Sequence, residues 1–429
     1  MLPLNIMNIT LANPETGKFK YFWTVVLLVI GLTILIKIPT LNLPHVEGDE
    51  IAFWHLANNW IKTGKYTDKG DDLTPYPAYI DRFTRDMPVH PPVFAALLVP
   101  FAKYQALSKA VIASWVGHIL AILAVALIGR HILRRSPDVD AFSPVFWLPL
   151  LGVATDPVMT WISGILWIDN LDAGFAALVV AFALIARDSR KPELMWTIAG
   201  IVLGLGLLSK VTVAVIIPVV GYLIYQLPGT RERIVAGLCF AVPALLLSLP
   251  WYVPLFFTMH EFIFPKPHLA PGVYQAPPCP FCEITTSRPI YYFFLKVCLV
   301  SPLILVCVGF LALAFGKKKK EVKQNEWQDL LFPFAWFLLV MLLATFAGSF
   351  IMRRISIVFP AMYVMMFYLA YYFHGHAELR RYQSMMLLMS GMAIVYGAIG
   401  GAFYLFHGNY AEYFSQIELA GIINLWGAR

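Results

Sequence analysis

Apolar runs of roughly 17 to 25 residues recur along the whole chain, each long enough for one helical crossing of a bilayer. Small clusters of Lys and Arg separate them. No single water-soluble core accounts for that pattern, because 59% of the residues are hydrophobic and only 13% charged. The mean hydropathy is +0.70. This is the composition of an all-α polytopic membrane protein, whose backbone polar groups must be satisfied inside each helix. The 429 residues leave room for about ten to twelve crossings and no separate soluble domain. A net charge of +7, spread over the separating clusters, is a topological signal and argues against a nucleic-acid-binding surface.

The first run, from about Tyr21 to Pro39, follows Lys18 and Lys20 and lacks an A-x-A-like cleavage site. It reads as a retained signal-anchor with its N-terminus in the cytoplasm. Further basic clusters at Arg130 to Arg135, Arg187 to Lys191, Arg231/Arg233, Lys317 to Lys323 and Arg380/Arg381 are placed on the same side. Two consecutive clusters on one side require an even number of crossings between them. The stretch between Lys191 and Arg231 must therefore cross twice, with its turn at Ser209 and Lys210. The stretch from Gln328 to Phe373 also crosses twice, with its break at "SFIMRRIS", which puts Arg353 and Arg354 outside, against the charge rule. The same parity pairs two crossings from Ser143 to Ala186, with Asp156, Asp169 and Asp172 near the outer turn. Runs from about Ile234 to Phe257, Tyr291 to Phe315 and Ser384 to Phe406 complete the set. The total is about eleven crossings in one integral membrane domain over residues 1–429. The N-terminus is expected in the cytoplasm, the C-terminus outside, and the plasma (inner) membrane as the location.

Two long loops fall on the outer side. Residues 41–109 contain "HPPVFAALLVPFAKY", an apolar stretch that suits an interfacial or re-entrant helix. Residues 258–290 are too rich in Pro for regular structure. They include "CPFC", where Cys279 and Cys282 suit a loop-tying disulfide outside the cytoplasm better than a metal site. Zinc would need two more ligands, and only His268 and Glu283 are near in sequence.

An ionisable side chain at the hydrocarbon edge costs up to about 3 kcal/mol and needs a partner or a role. The outer face gathers Asp49, Glu50, Asp156, Asp169, Asp172, Lys210, Arg353 and Arg354. Carboxylates beside cations near the lipid headgroups suit a lipid-linked phosphosugar. Its phosphate lies against Lys210, Arg353 and Arg354 while a carboxylate takes the proton of an acceptor hydroxyl. No metal-ligand spacing is evident, and no cofactor is required. Each residue also has a plainer reading: Asp49/Glu50 as a solvated loop, His90 as the start of an interfacial helix, Lys210 as a snorkelling side chain, Asp172 as a helix cap.

"EGDE" after the first run, "VHPPV" about 40 residues on, "NLDAGFAAL" opening a later helix and "RRISIVFPAMYV" near the end occur in that order. Together they resemble the membrane-embedded glycosyltransferases of the GT-C fold, in the protein O-mannosyltransferase-like branch that includes the aminoarabinose transferases of lipid A. The resemblance implies a sugar taken from a polyprenyl- or dolichyl-phosphate carrier outside the cytoplasm, with inversion at the anomeric carbon. It places the family's Asp-Glu pair on Asp49 and Glu50, with Asp49 as general base. The His-Pro-Pro falls on His90, Pro91 and Pro92, the Leu-Asp on Leu171 and Asp172, and the late arginine on Arg353 or Arg354. The arginine that many relatives carry before that Leu-Asp is missing here. His90 and Asp172 are thus expected to touch substrate. The partners expected are a lipid-phosphate sugar donor, a hydroxyl-bearing acceptor (protein, lipid or glycan) and membrane lipids. Two other classes fit the composition: a transporter or flippase of a lipid-linked sugar, and a non-catalytic assembly subunit.

Overall fold

The computed structural model describes residues 20–42, 48–67, 90–134, 136, 139–259, 297–298, 300–316, 324–346 and 356–407, without the side chains of 48–51, 258–259, 324–328, 343–346, 377 and 403–407. Among the described residues every regular element is helical. In chain order these are α1 (Phe22–Lys37), α2 (Gly48–Thr63), α3 (Pro92–Lys103), α4 (Leu107–Ala110), α5 (Ile112–Leu133), α6 (Pro144–Ala154), α7 (Pro157–Ser163) and α8 (Asp169–Arg187). Then follow α9 (Pro192–Leu207), α10 (Ile217–Tyr225), α11 (Thr230–Met259), α12 (Leu303–Gly316), α13 (Gln324–Phe346), α14 (Val358–Gly375) and α15 (Arg380–His407).

Proline opens several of these helices: Pro92, Pro144, Pro157 and Pro192 stand at the first turn of α3, α6, α7 and α9, where the missing N–H costs nothing. Asp156 separates α6 from α7. Its carboxylate accepts from the backbone N–H groups of Val158 at 3.0 Å and Met159 at 2.9 Å, an N-cap that restarts the helix after a bend of 42°. Its other oxygen accepts the hydroxyl of Tyr363 on α14 at 2.7 Å.

The layering follows from where apolar surface is exposed. α8 and α14 are enclosed along almost their whole length, and α5 packs along α8. α1, α11 and α15 form the rim and keep large apolar side chains such as Leu28, Leu246 and Leu388 exposed, as lipid-facing helices do. Between helices that are apolar all round, close approach at small residues replaces a hydrophobic driving force. A methyl group on Gly117 of α5 would sit 2.2 Å from the backbone carbon of Asn170 on α8, and one on Gly200 of α9 would sit 2.1 Å from the Phe240 carbonyl oxygen on α11. Backbone cannot move aside as a side chain can. Gly117→Ala is therefore expected to cost about 1–3 kcal/mol of stability, whereas Gly237→Ala, with nothing within 4 Å, is expected to be harmless. Thermal unfolding in detergent compares the two, and an unchanged midpoint for Gly117→Ala would show that α5 and α8 are not in backbone contact.

Five described stretches are long and apolar enough to cross a membrane, namely Phe22–Asn42, Leu107–Leu133, Asp169–Arg187, Thr230–Phe257 and Arg380–Ala402, and the bent pair α6–α7 makes a sixth. The expected total of about eleven also draws on shorter apolar helices at 192–207, 211–225, 303–316 and 329–342. These are shorter than full crossings: α9, with 16 residues, reaches about 24 Å. The break expected at Ser209 and Lys210 is present, between α9 and a 3₁₀ segment, Val211–Ile216, that leads into α10. The expected pair across Gln328 to Phe373 is present as α13 and α14. The expected helix in "HPPVFAALLVPFAKY" is α3. The loop 258–290, with Cys279 and Cys282, lies outside the described residues.

Candidate active site

One end of the bundle collects the start of α8, the end of α9 and the start of α14. Asp169 and Asp172 are three residues apart in the first turn of α8, so both carboxylates leave the helix on one face. The Lys210 ammonium, just past α9, lies 2.7 Å from Asp169 Oδ1 and 3.8 Å from Asp172 Oδ2. Thr212 donates its hydroxyl to Asp172 Oδ2 at 2.7 Å and Ser209 to Oδ1 at 3.3 Å. Ser356, two residues after Arg354, donates its hydroxyl to the Asp169 carbonyl at 2.7 Å and so ties the entry of α14 to the same turn.

The cluster is enclosed unevenly. The side chains of Asp169 and Asp172 are 4% and 3% exposed, while that of Lys210 is 23% exposed. Two enclosed carboxylates thus hold the ammonium of a lysine whose side chain stays partly exposed. With both acids ionised the trio carries a net charge of −1, so Lys210 supplies an aimed donor and no surplus positive charge.

The His-Pro-Pro segment adjoins this cluster. The backbone N–H of Val93 donates to the Leu208 carbonyl at 3.1 Å, which binds the start of α3 to the turn that carries Lys210. The His90 ring lies 4.8 Å from that of Phe53, one helical turn beyond Asp49 on α2, and Phe53 meets Phe94 edge-on at 4.9 Å. The His90 carbonyl accepts the Tyr66 hydroxyl at 2.7 Å, and the Tyr66 ring stands 5.5 Å from Trp251 of α11. Tyr252, the next residue, donates to the Leu207 carbonyl at 2.7 Å. These contacts build an aromatic wall of Phe53, His90, Tyr66 and Trp251 against the Lys210 turn.

Of the residues singled out from sequence, the structure brings Lys210 and Asp172 into direct contact and sets the His90 segment beside their turn. Asp49 and Glu50 stand in the first turn of α2, and their side chains lie outside the described residues, as do Arg353 and Arg354 entirely. Asp172 does not cap α8: the helix starts at Asp169, with Ile168 at the N-cap, and the carboxylate of Asp172 is taken up by Lys210, Thr212 and Ser209. Asp169 is a member of the cluster that sequence reasoning placed only on the face. Its spacing from Asp172 at the head of a helix was the available signal.

The other end of α8 lies about 27 Å away at the helical rise. There His131 and Arg134 at the end of α5 meet Asp188 at 3.4 Å and 2.8 Å, and Arg187 approaches Asp329 of α13 at 4.0 Å. The described residues of the basic clusters at Arg130 to Arg134 and Arg187 to Lys191 therefore gather at the end opposite Lys210.

Residues 89–264 match the model of glycosyltransferase family 87. The fold is similar to that of ArnT from Cupriavidus metallidurans in the apo state, at 14% identity and a TM-score of 0.57, over 89% of this chain and 76% of that one. ArnT from the same organism bound to undecaprenyl phosphate is similar at 13% identity and a TM-score of 0.56, over 91% of this chain and 77% of that one. No curated protein sequence matches the chain. The fold is therefore that of the GT-C membrane glycosyltransferases, as the ordered motifs implied.

Proposed function

From a GT-C membrane fold whose residues 89–264 carry a glycosyltransferase match, we propose that the chain moves a sugar from a polyprenyl-phosphate donor to a hydroxyl acceptor on the extracytoplasmic side, with inversion at the anomeric carbon. The observation that carries this reading is Lys210, a partly exposed side chain fixed by two enclosed carboxylates beside the His90 wall, in a fold similar to that of ArnT bound to undecaprenyl phosphate.

The donor's lipid tail lies in the bilayer and its phosphate meets Lys210, Arg353 and Arg354. Asp49 takes the proton of the acceptor hydroxyl, whose oxygen attacks the anomeric carbon from the face opposite the phosphate. The bond from that carbon to the phosphate oxygen breaks, and the carrier phosphate leaves with the electron pair and one added negative charge. Arginine or lysine at that oxygen stabilises the transition state more than the ground state. Lys210 brings aim rather than net charge, so the arginines supply most of the neutralisation. Glu50 stands beside Asp49 in the same helical turn. His90, its ring tilted against Phe53, faces the sugar, and Asp172 serves substrate binding through the Lys210 it orients. The gathering of the basic clusters at the other end of α8 supports the outer placement of this site and the cytoplasmic placement of the N-terminus.

Purified protein in lipid nanodiscs or vesicles, given labelled polyprenyl-phosphate sugars and a hydroxyl acceptor, tests the proposal. Transfer to the acceptor is the expected result. Movement of the donor across the bilayer without transfer would replace the enzyme by a flippase, and neither activity would leave an assembly subunit.

A further inference from the structure

A second polar group is enclosed at the junction of α7 and α8, and the proposed chemistry does not use it. Lys37, at the end of α1, is 1% exposed in a stretch that otherwise reads as a plain membrane span. Its ammonium donates to the hydroxyl oxygen of Ser163, the last residue of α7. The counter-charge is Asp156, which attracts the ammonium but gives its own oxygens to Val158, Met159 and Tyr363. A lysine needed only to balance Asp156 would be expected to make its hydrogen bond there.

The contact with Ser163 leads toward the site. With the Lys37 ammonium on its oxygen, Ser163 has one hydrogen for two carbonyls, Met159 at 2.7 Å and Thr160 at 3.0 Å, and the shorter contact is the one to Met159. The same carbonyl accepts the side-chain amide of Asn170 at 2.8 Å. Asn170 is fully buried and its amide oxygen has no hydrogen-bond partner among the described residues, so that single bond anchors its side chain. Behind it, Gly117 of α5 presses on the Asn170 backbone. Asn170 adjoins Asp169, whose carboxylate holds Lys210 and whose carbonyl holds Ser356.

We propose that Lys37 is a positioning residue: it fixes Ser163 and, through the shared Met159 carbonyl, Asn170, so that Asp169 holds the Lys210 ammonium where the carrier phosphate binds. The inference rests on the donor reading given above. Lys37 touches no substrate. It sets the angle at which α8 leaves the short helix α7, and with it the place of Lys210.

The test is the affinity of wild type and variants, in nanodiscs, for undecaprenyl phosphate as the probe. Ser163→Ala leaves both Lys37 and Asp156 in place and cuts the link. It is expected to weaken binding about tenfold, the size of one lost constraining hydrogen bond. Lys37→Met is expected to do the same, and the double variant is expected to show no further loss, since both act on one path. Lys37→Met with Asp156→Asn removes both charges while keeping a good N-cap, and is expected to remain weak. Wild-type affinity in Ser163→Ala, or recovery of binding in the Lys37→Met/Asp156→Asn protein, would reduce Lys37 to a counter-ion and overturn the inference. If Lys37→Met does not fold, Ser163→Ala decides alone. A wild type that binds no carrier overturns the donor reading together with this inference, whereas a wild type that binds beside an unimpaired Ser163→Ala overturns this inference only.

Discussion

Asparagine in place of Asp49 is expected to lower the rate of sugar transfer by about 10²–10⁴-fold, the span that general-base catalysis contributes. Asparagine keeps the shape and one acceptor oxygen of the carboxylate but cannot take a proton at neutral pH. The loss should therefore fall on kcat, with affinity for undecaprenyl phosphate unchanged and the protein still eluting as a single folded species. Asp49 stands in the first turn of α2, a helix that packs against α3. Initial rates at saturating donor, beside carrier titrations on the same preparation, make the comparison. A folded Asp49→Asn protein that transfers sugar at the wild-type rate removes Asp49 from the chemistry, and Glu50→Gln then becomes the variant to measure.

Removing the cation between the two enclosed acids should lower both stability and carrier binding. Lys210→Met leaves Asp169 and Asp172 facing each other, 4% and 3% exposed, with no positive charge between them. Breaking one partner out of a buried pair costs about 3–5 kcal/mol, and the low end applies because Lys210 keeps 23% exposure. A lower thermal midpoint in detergent and a loss of carrier binding are both expected. The two effects separate in the triple variant Lys210→Met/Asp169→Asn/Asp172→Asn, which carries no stranded charge. Its stability should recover and its binding should not. Carrier affinity at the wild-type level in Lys210→Met would show that the ammonium serves the fold alone.

Charge parity located the Ser209/Lys210 break without help from hydropathy, because two basic clusters on one side leave no other solution. The α13–α14 pair follows from the same count. Parity sorts residues onto a face but says nothing of distance. Lys210 and Asp169 were both on the outer face by that argument, yet their 2.7 Å contact depends on how α9 packs along α8, which a separation of 41 positions in sequence does not display. Asp156 was assigned to the same face and is a buried cap, held by a tyrosine 207 residues later. Lys37 carried a readable signal that its apolar neighbours obscured: an ionisable residue at the end of a membrane span needs a partner. Asp172 was legible as a helix-start residue but not as a lysine partner, since an N-cap and a first-turn acid differ by one turn of register.

The enclosure of α8 separates the site mechanically from the bilayer. In the apolar stretch of α8, 83% of the residues are buried, whereas in those that contain α1, α11 and α15 the shares are 33%, 22% and 28%. A membrane thicker or thinner than the protein's apolar band strains the helices that touch lipid, tilting them at fractions of a kcal/mol per Å. Here that strain falls on the rim, while the paired acids stand at the head of a column that lipid barely reaches. In the proposed reaction the carrier would pass from one regime to the other, its chain following the local thickness of the membrane and its phosphate meeting a place set by protein alone.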